Sequence, residues 1–269
     1  MALFPNFKLG YKSYGEAHQL IVKNRLWGYV FVPAIINIII LFLVIFFGWK
    51  SIGLFTDWII NITGLAANPS GFFRHLIIFF KWLFKIGLYV LLFLFYFSVY
   101  RYLVLAILSP ALALLSEKTD KILTGTNYPF RLWQLIKDIK RGILIVVRNF
   151  FIEMGFMIVF FFLSYIPIVG WISPFIMFFI TCYFYGFSMI DYSNERYKYN
   201  IRESVLFVRK NRGMSISNGM VFYLFFFFVP VVGFLFAPAY SVVAATIAVS
   251  KVRNKQLTKS YQQKILSEK

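Results

Sequence analysis

Apolar residues in this chain fall into long runs, separated by short basic segments. The first run, from Trp27 to Trp49, is about as long as the ~20 residues a helix needs to cross a bilayer. It predicts a transmembrane helix over 26–49. Within it Pro33 and Asn37 lie four apart and share one helix face. Pro33 frees a backbone carbonyl one turn back. Asn37 either bonds to a neighbouring helix or backbone group or contacts a ligand. Residues 50–71, with Gly53, Gly64, Asn68-Pro69 and Gly71, read as a connector. A second run, Phe72 to Leu115, is interrupted only by Arg74, His75, Lys81, Lys85 and Arg101. It predicts a long transmembrane helix over 72–115. Being much longer than a bilayer is thick, it must tilt or extend past the membrane until Ser109-Pro110 kinks or ends it. Arg74, Lys81 and Lys85 make one stripe on it, which either snorkels to outer headgroups or draws anions towards a pore.

After a turn region with Gly125, Asn127 and Pro129, the residues Leu132, Leu135, Ile136, Ile139, Ile143 and Val146 keep helical spacing. Lys137, Lys140, Arg141 and Arg148 lie off that face, which predicts a basic amphipathic helix lying on the cytoplasmic surface or packed against the membrane domain. A repeat follows. Phe161 to Trp171 contains Pro167-Ile-Val-Gly170 and leads to Pro174; Phe226 to Phe234 contains Pro230-Val-Val-Gly233 and leads to Pro238. Pro and Gly this close punctuate a helix, so each copy is expected at the tip of a helical hairpin, over 150–191 and 217–250. The ascending arm of the second, from about Ser217 to Val229, is too short for the ~30 Å hydrocarbon core. It should enter the bilayer without crossing it. Between the hairpins Asn200 and Glu203 fit a capping box that opens a short basic helix. Residues 251–269 read as a basic, frayed cytoplasmic tail.

Composition narrows the class. Hydrophobic residues make up 60% of the 269, and charged residues only 14%, about half of a soluble domain's share. A soluble enzyme of this size could not cover so much apolar surface, whereas lipid can. The net charge of +18 raises nucleic acid as a partner, but its distribution argues for a membrane. Segments 1–25, 109–148, 192–212 and 251–269 hold four, seven, six and six of the 28 Lys and Arg. Basic residues held back on one side follow the positive-inside rule, and some also meet anionic lipid headgroups. Both termini and the two central segments are therefore expected in the cytoplasm. No cleavable signal peptide is expected, since the first apolar run starts only after Lys8, Lys12, Lys23 and Arg25 and is too long for one. Residues 1–250 are read as a single membrane domain.

Candidate chemistry is sparse. The lone Cys182 forms no internal disulfide, and no phosphate loop, metal-ligand spacing or nucleophile elbow is visible. No cofactor, no metal and no enzymatic activity are expected. Arg101 stands alone in an apolar run. Glu153 is the one carboxylate in a hydrophobic hairpin arm, with either a structural partner or a place in a permeation path. Arg101, Glu117, Lys118 and Glu153 are the charged candidates for such a path. An oxyanion is expected first at the start of the first transmembrane helix, held by Arg25 and by free N–H groups around Leu26 and Trp27. Alternatively, Arg25 only anchors the helix in headgroups.

An ordered set of motifs over nearly the whole chain resembles the CysZ sulfate permeases and the related etoposide-induced 2.4 membrane proteins. The set comprises Pro33…Asn37, Leu108-Ser-Pro…Leu115-Ser116-Glu117-Lys118, Ile166-Pro-x-x-Gly170, Asp191-Tyr192-x-x-Glu195-Arg196 with Arg202, Arg209, Arg212 and Gly213, and Ala237-Pro238-Ala239…Val243-Ala-Ala-Thr246. The resemblance implies an all-α integral membrane protein of two long transmembrane helices and two hemi-penetrating helical hairpins. It also implies sulfate uptake for cysteine synthesis, an inner-membrane location and a homo-oligomer. A non-transporting membrane scaffold of the same fold is the other reading. In that family an anion site is associated with a Gly-Leu-Arg turn, where this chain has Arg25-Leu26-Trp27; the family's Asp-Tyr-Pro is here Asp191-Tyr192-Ser193.

Overall fold

Helix is the only regular structure among the residues that the computed structural model describes, which are 3–62, 74–126, 132–163, 166–228 and 230–267. In chain order they are α1 (Leu3–Lys23), α2 (Trp27–Ile62), α3 (Arg74–Thr124), α4 (Leu132–Leu163), α5 (Pro167–Arg196), α6 (Ile201–Lys210), α7 (Arg212–Phe228) and α8 (Pro230–Ser267). The protein is thus an all-α membrane protein. Three described segments, Lys140–Phe160, Ile168–Arg196 and Leu235–Thr258, are long and apolar enough to cross a bilayer.

The chain divides into two compact units, Met1–Asn37 with Leu105–Lys269, and Ile38–Val104. The second unit holds residues 38–62 of α2 and 74–104 of α3. Phe42, Phe46, Leu54, Trp58 and Trp82 are exposed there, as expected of helices that face acyl chains. Helix α2 runs on to Ile62, so residues 50–62 are helical and not a connector. No Pro interrupts them, and Thr56 is fully buried. The rest of that connector, the start of α3 at Phe72 and the Asn127–Pro129 turn lie outside the described residues.

The first unit is built around α5, α7 and α8, with α1 laid across α7 and α8. A core of Ala17 and Ile21 from α1, Leu26, Val30, Leu115 and Ala239, Val243, Ala244 and Ile247 of α8 joins four helices. The candidate span in α8 is 78% buried within the protein, against 17% and 22% for those in α4 and α5. Apolar character in α8 therefore serves the protein core, while α4 and α5 turn theirs outward. Helices α5 and α7 cross so closely that a Cβ at Gly186 would overlap the Ser215 carbonyl, and one at Gly219 the Cys182 carbonyl. Small residues at such a crossing let backbones approach in a bilayer.

Both repeat copies occupy the same structural position. Pro167 is the first residue of α5 after α4, and Pro230 is the first residue of α8 after α7. Pro suits this place because its missing N–H would have no helical partner there. Gly170 then closes the first turn of α5, its N–H donating to the Ile166 carbonyl at 2.7 Å. The ascending arm of the second hairpin starts at Arg212, earlier than expected, and has 17 residues. At 1.5 Å per residue that is about 26 Å, still short of the ~30 Å core.

Three other expectations change. Of the kink or end expected at Ser109-Pro110, the end is excluded, since α3 continues to Thr124 with Pro110 inside it. The tail is not frayed: α8 runs to Ser267, with Val252 buried and the Arg253 guanidinium 3.7 Å from the centre of the Tyr197 ring. The amphipathic helix expected after residue 132 is present but not separate: it is the first part of α4, continuous with the hairpin arm. There Ile143 is exposed, and Arg141 turns inward.

Candidate functional site

Charged and polar side chains gather in two places in the first unit. One is the turn from α1 to α2. Helix α1 ends with Arg25 in the left-handed region, φ 52°. The Leu26 N–H donates to the Ile21 carbonyl at 3.0 Å, and the Arg25 N–H to the Val22 carbonyl at 3.3 Å. This is the Schellman arrangement, with arginine at the position that glycine usually fills. Two consequences follow for the expected oxyanion site. Leu26 offers no free donor, because its N–H is spent on α1 and its side chain is buried in the core. Trp27 and Gly28, by contrast, open α2, where a helix has no carbonyl of its own for the N–H groups.

Around that first turn the charge is positive. Arg25 is exposed. The Lys118 ammonium of α3 lies 5.7 Å from the centre of the Tyr29 ring, one half-turn into α2. Helix start, guanidinium and ammonium are the groups that bind a small oxyanion elsewhere in proteins. Trp27 packs on Phe31, which meets Phe236 of α8 edge-on at 5.5 Å. The turn is thereby tied to the second hairpin.

The other place is the C-terminal end of α5, where the Asp191-Tyr192-x-x-Glu195-Arg196 motif lies. Asp191 is 5% exposed. It receives two hydrogen bonds of 2.9 Å from the Arg141 guanidinium and one from the Ser204 hydroxyl. Arg141 also donates to the Tyr199 carbonyl at 3.0 Å and lies 3.7 Å from Glu195. Arg196 reaches the Ser116 hydroxyl and lies 3.8 Å from Asp120 of α3. Asp120 is fully buried and also accepts from the Tyr197 hydroxyl at 3.1 Å. Burial, and then Asp120, push that hydroxyl's pKa up and keep it a neutral donor. Tyr192 is buried, its hydroxyl donating to the Leu105 carbonyl at 3.3 Å. Ser116 and Ser193 meet on Thr246 of α8 at 2.7 and 3.2 Å. The motif thus ties α3, α4, α6 and α8 to the end of α5 through paired groups.

The remaining candidates are scattered. Glu117 is half-buried on α3 beside Lys118. Glu153 is buried between the arms of the first hairpin, accepting from the Thr181 hydroxyl at 2.9 Å. The side chain of Arg101, like those of Arg74, Lys81 and Lys85, lies outside those described. Pro33 and Asn37 are buried on α2, and Gly233 and Pro238 on α8. Among the described residues no group of His, Cys, Asp and Glu is placed to hold a metal ion. Sequence reasoning missed Arg141 and Asp120. Helical spacing put Arg141 on a polar outer face, but a buried carboxylate demands a charged partner from whichever helix reaches it.

Similarity to known proteins follows the same extent of chain. The family described as sulfate transporter CysZ/etoposide-induced protein 2.4 matches residues 13–238. A sulfate transporter CysZ of Pseudomonas fluorescens (strain Pf0-1) is 26% identical over 234 residues, 86% of this chain and 89% of the relative. A second, from strain SBW25, is 31% identical over 143 residues, 52% of this chain and 55% of the relative. The match begins within α1 and ends within α8, taking in the basic turn, the first hairpin, the tip of the second and the Asp191 motif, so the chain belongs to the sulfate transporter CysZ/etoposide-induced protein 2.4 family.

Proposed function

We propose that this protein carries a small inorganic oxyanion, sulfate in the first place, across the cell inner membrane, feeding cysteine synthesis. The observation that carries the reading is the positive first turn of α2. Arg25 lies two residues before the open N–H groups of Trp27 and Gly28, and Lys118 stands over Tyr29 in the same turn. The relatives' name, sulfate transporter, supplies the anion. In this reading both termini face the cytoplasm, so the anion site lies on that face. The two hairpins enter from the same side, and α7 is too short to cross. The polar cluster around Asp191 holds the helices together and does not touch the anion.

The test is sulfate flux into liposomes containing purified protein, alongside sulfate binding to the same preparation. Wild type should move labelled sulfate well above empty vesicles, and Arg25→Gln should lose binding and flux together. A folded wild-type protein that neither binds nor moves sulfate would leave the scaffold reading in its place. Flux unchanged in Arg25→Gln would make that arginine a headgroup anchor.

A further inference from the structure

The transport reading leaves unused a cavity of about 610 Å³ between α4, α5, α6 and α7. Its lining is sorted by polarity along its length. On α4, Arg148, Ile152 and Phe156 follow at four-residue steps on one face, about 12 Å from first to last. Ile176 and Phe179 of α5 run the other way, with the register set by the hydrogen bond between Thr181 and Glu153. They therefore stand beside Phe156. Arg209 follows the wall residue Val205 by one turn of α6, and Arg212 precedes the wall residue Ile216 by one turn of α7. The tight crossing at Gly186 and Ser215 sets the start of α7 level with Arg148. Three guanidinium groups thus share the end away from Phe156.

Two further observations fix the occupant's chemistry. None of the three arginines makes an ion pair with a carboxylate among the described residues. Phe156, Ile176 and Phe179 are exposed, so the apolar end opens sideways. The volume lies in the range of roughly 300–1,000 Å³ found for organic ligands, many times the ~30 Å³ share of one water. A bare oxyanion would leave most of it to apolar walls, which stabilise no charge.

We propose that this cavity is a binding site for an anionic glycerophospholipid. The phosphate meets Arg148, Arg209 and Arg212, and one acyl chain runs along Ile152 and Phe156. Guanidinium forks match phosphate oxygens in pairs, and a chain entering from the bilayer need not cross water. The site is separate from the turn at Arg25 and does not depend on transport.

Native mass spectrometry of the full-length protein, released from neutral detergent after exposure to phosphatidylglycerol or phosphatidylcholine, tests it. Wild type should retain phosphatidylglycerol about tenfold or more over phosphatidylcholine, as charge-assisted phosphate bonds require. Arg209→Gln with Arg212→Gln, both at exposed positions, should bring the two lipids level. Ile176→Trp, which fills the apolar end and keeps every arginine, should lower retention of phosphatidylglycerol. Both variants should elute as wild type does in size exclusion, and phosphatidylcholine retention serves as the internal control for a folded protein. Equal retention of the two lipids by wild type would overturn the proposal. So would retention of phosphatidylglycerol that survives the double substitution. Displacement of the lipid by inorganic phosphate at millimolar concentration would assign the arginines to a free anion.

Discussion

Arg25 carries two duties that one pair of substitutions separates. Its backbone sits at φ 52°, where a residue with a Cβ is strained by about 1–2 kcal/mol; its side chain is the cation of the proposed site. Arg25→Gly removes the strain together with the charge, so thermal stability should hold or rise while sulfate binding falls. Arg25→Gln keeps the strain and loses the charge, so binding falls with no gain in stability. Equal sulfate affinity in both variants and wild type would remove Arg25 from the site. Asp191 behaves differently. It is buried and doubly bonded to Arg141. Asp191→Asn leaves a buried guanidinium short of its partner and should cost about 3–5 kcal/mol. The double change Asp191→Leu with Arg141→Met removes both charges and should recover much of it, read as melting temperature in detergent. A double variant no more stable than Asp191→Asn would show that the pair holds the fold by more than charge balance. At this scale the sequence was informative where chemistry is local. The Asn200–Glu203 capping box is present with both of its hydrogen bonds. Arg141 was not legible, because its partner lies fifty positions away and helical spacing cannot see it.

Elements were legible where Pro and Gly mark their ends and hidden where they do not. The tips at Pro167 and Pro230 stood out as a repeat. The ends of α1 and α5 did not, since Arg25 and Lys198 occupy left-handed positions that a reader expects glycine to fill. Lys198 repeats the arrangement of Arg25, with the Tyr199 N–H donating to the Asn194 carbonyl at 3.1 Å and the Lys198 N–H to the Glu195 carbonyl at 2.8 Å. Helix α1 was missed for a second reason. Its lysines interrupt every apolar run, and its inner face reveals itself only against α7 and α8. The crossing of α5 and α7 makes a prediction about elements. Gly219→Ala inserts a methyl where the Cys182 carbonyl already lies. The backbones must part, which is expected to cost at least the ~1–3 kcal/mol of an overpacked core. Gly155→Ala, on open space in α4, should be neutral or slightly stabilising. Equal melting temperatures for the two variants would show that the crossing yields freely.

For the whole molecule the distribution of charge makes the strongest statement. Single cysteines at the exposed positions Lys23 and Lys210, in a Cys182→Ser background, should react with a membrane-impermeant maleimide only from the cytoplasmic side. Reaction at Lys210→Cys from outside in intact cells would reject the single topology, and reaction from both sides would mean dual insertion. Composition placed the chain in a membrane, and the lengths of its apolar runs predicted the long helices. It could not show that the most apolar part of α8 lies inside the protein, because lipid and a protein core select the same residues.

That placement also sets an order of events during synthesis. The ribosome makes α1 first and α8 last, yet Ala17 and Ile21 have their partners in Ala239, Val243 and Ala244, more than two hundred positions later. Contacts so distant in sequence form slowly, since a long loop must close before any of them is gained. Until then the first helix lacks part of the surface it packs on. Its docking is accordingly among the last steps of assembly and marks a chain whose C-terminal helix has arrived. The turn at Arg25 is closed by local hydrogen bonds to Ile21 and Val22; what arrives with α8 is the core beneath it, which Leu26 shares with Ala239 and Val243.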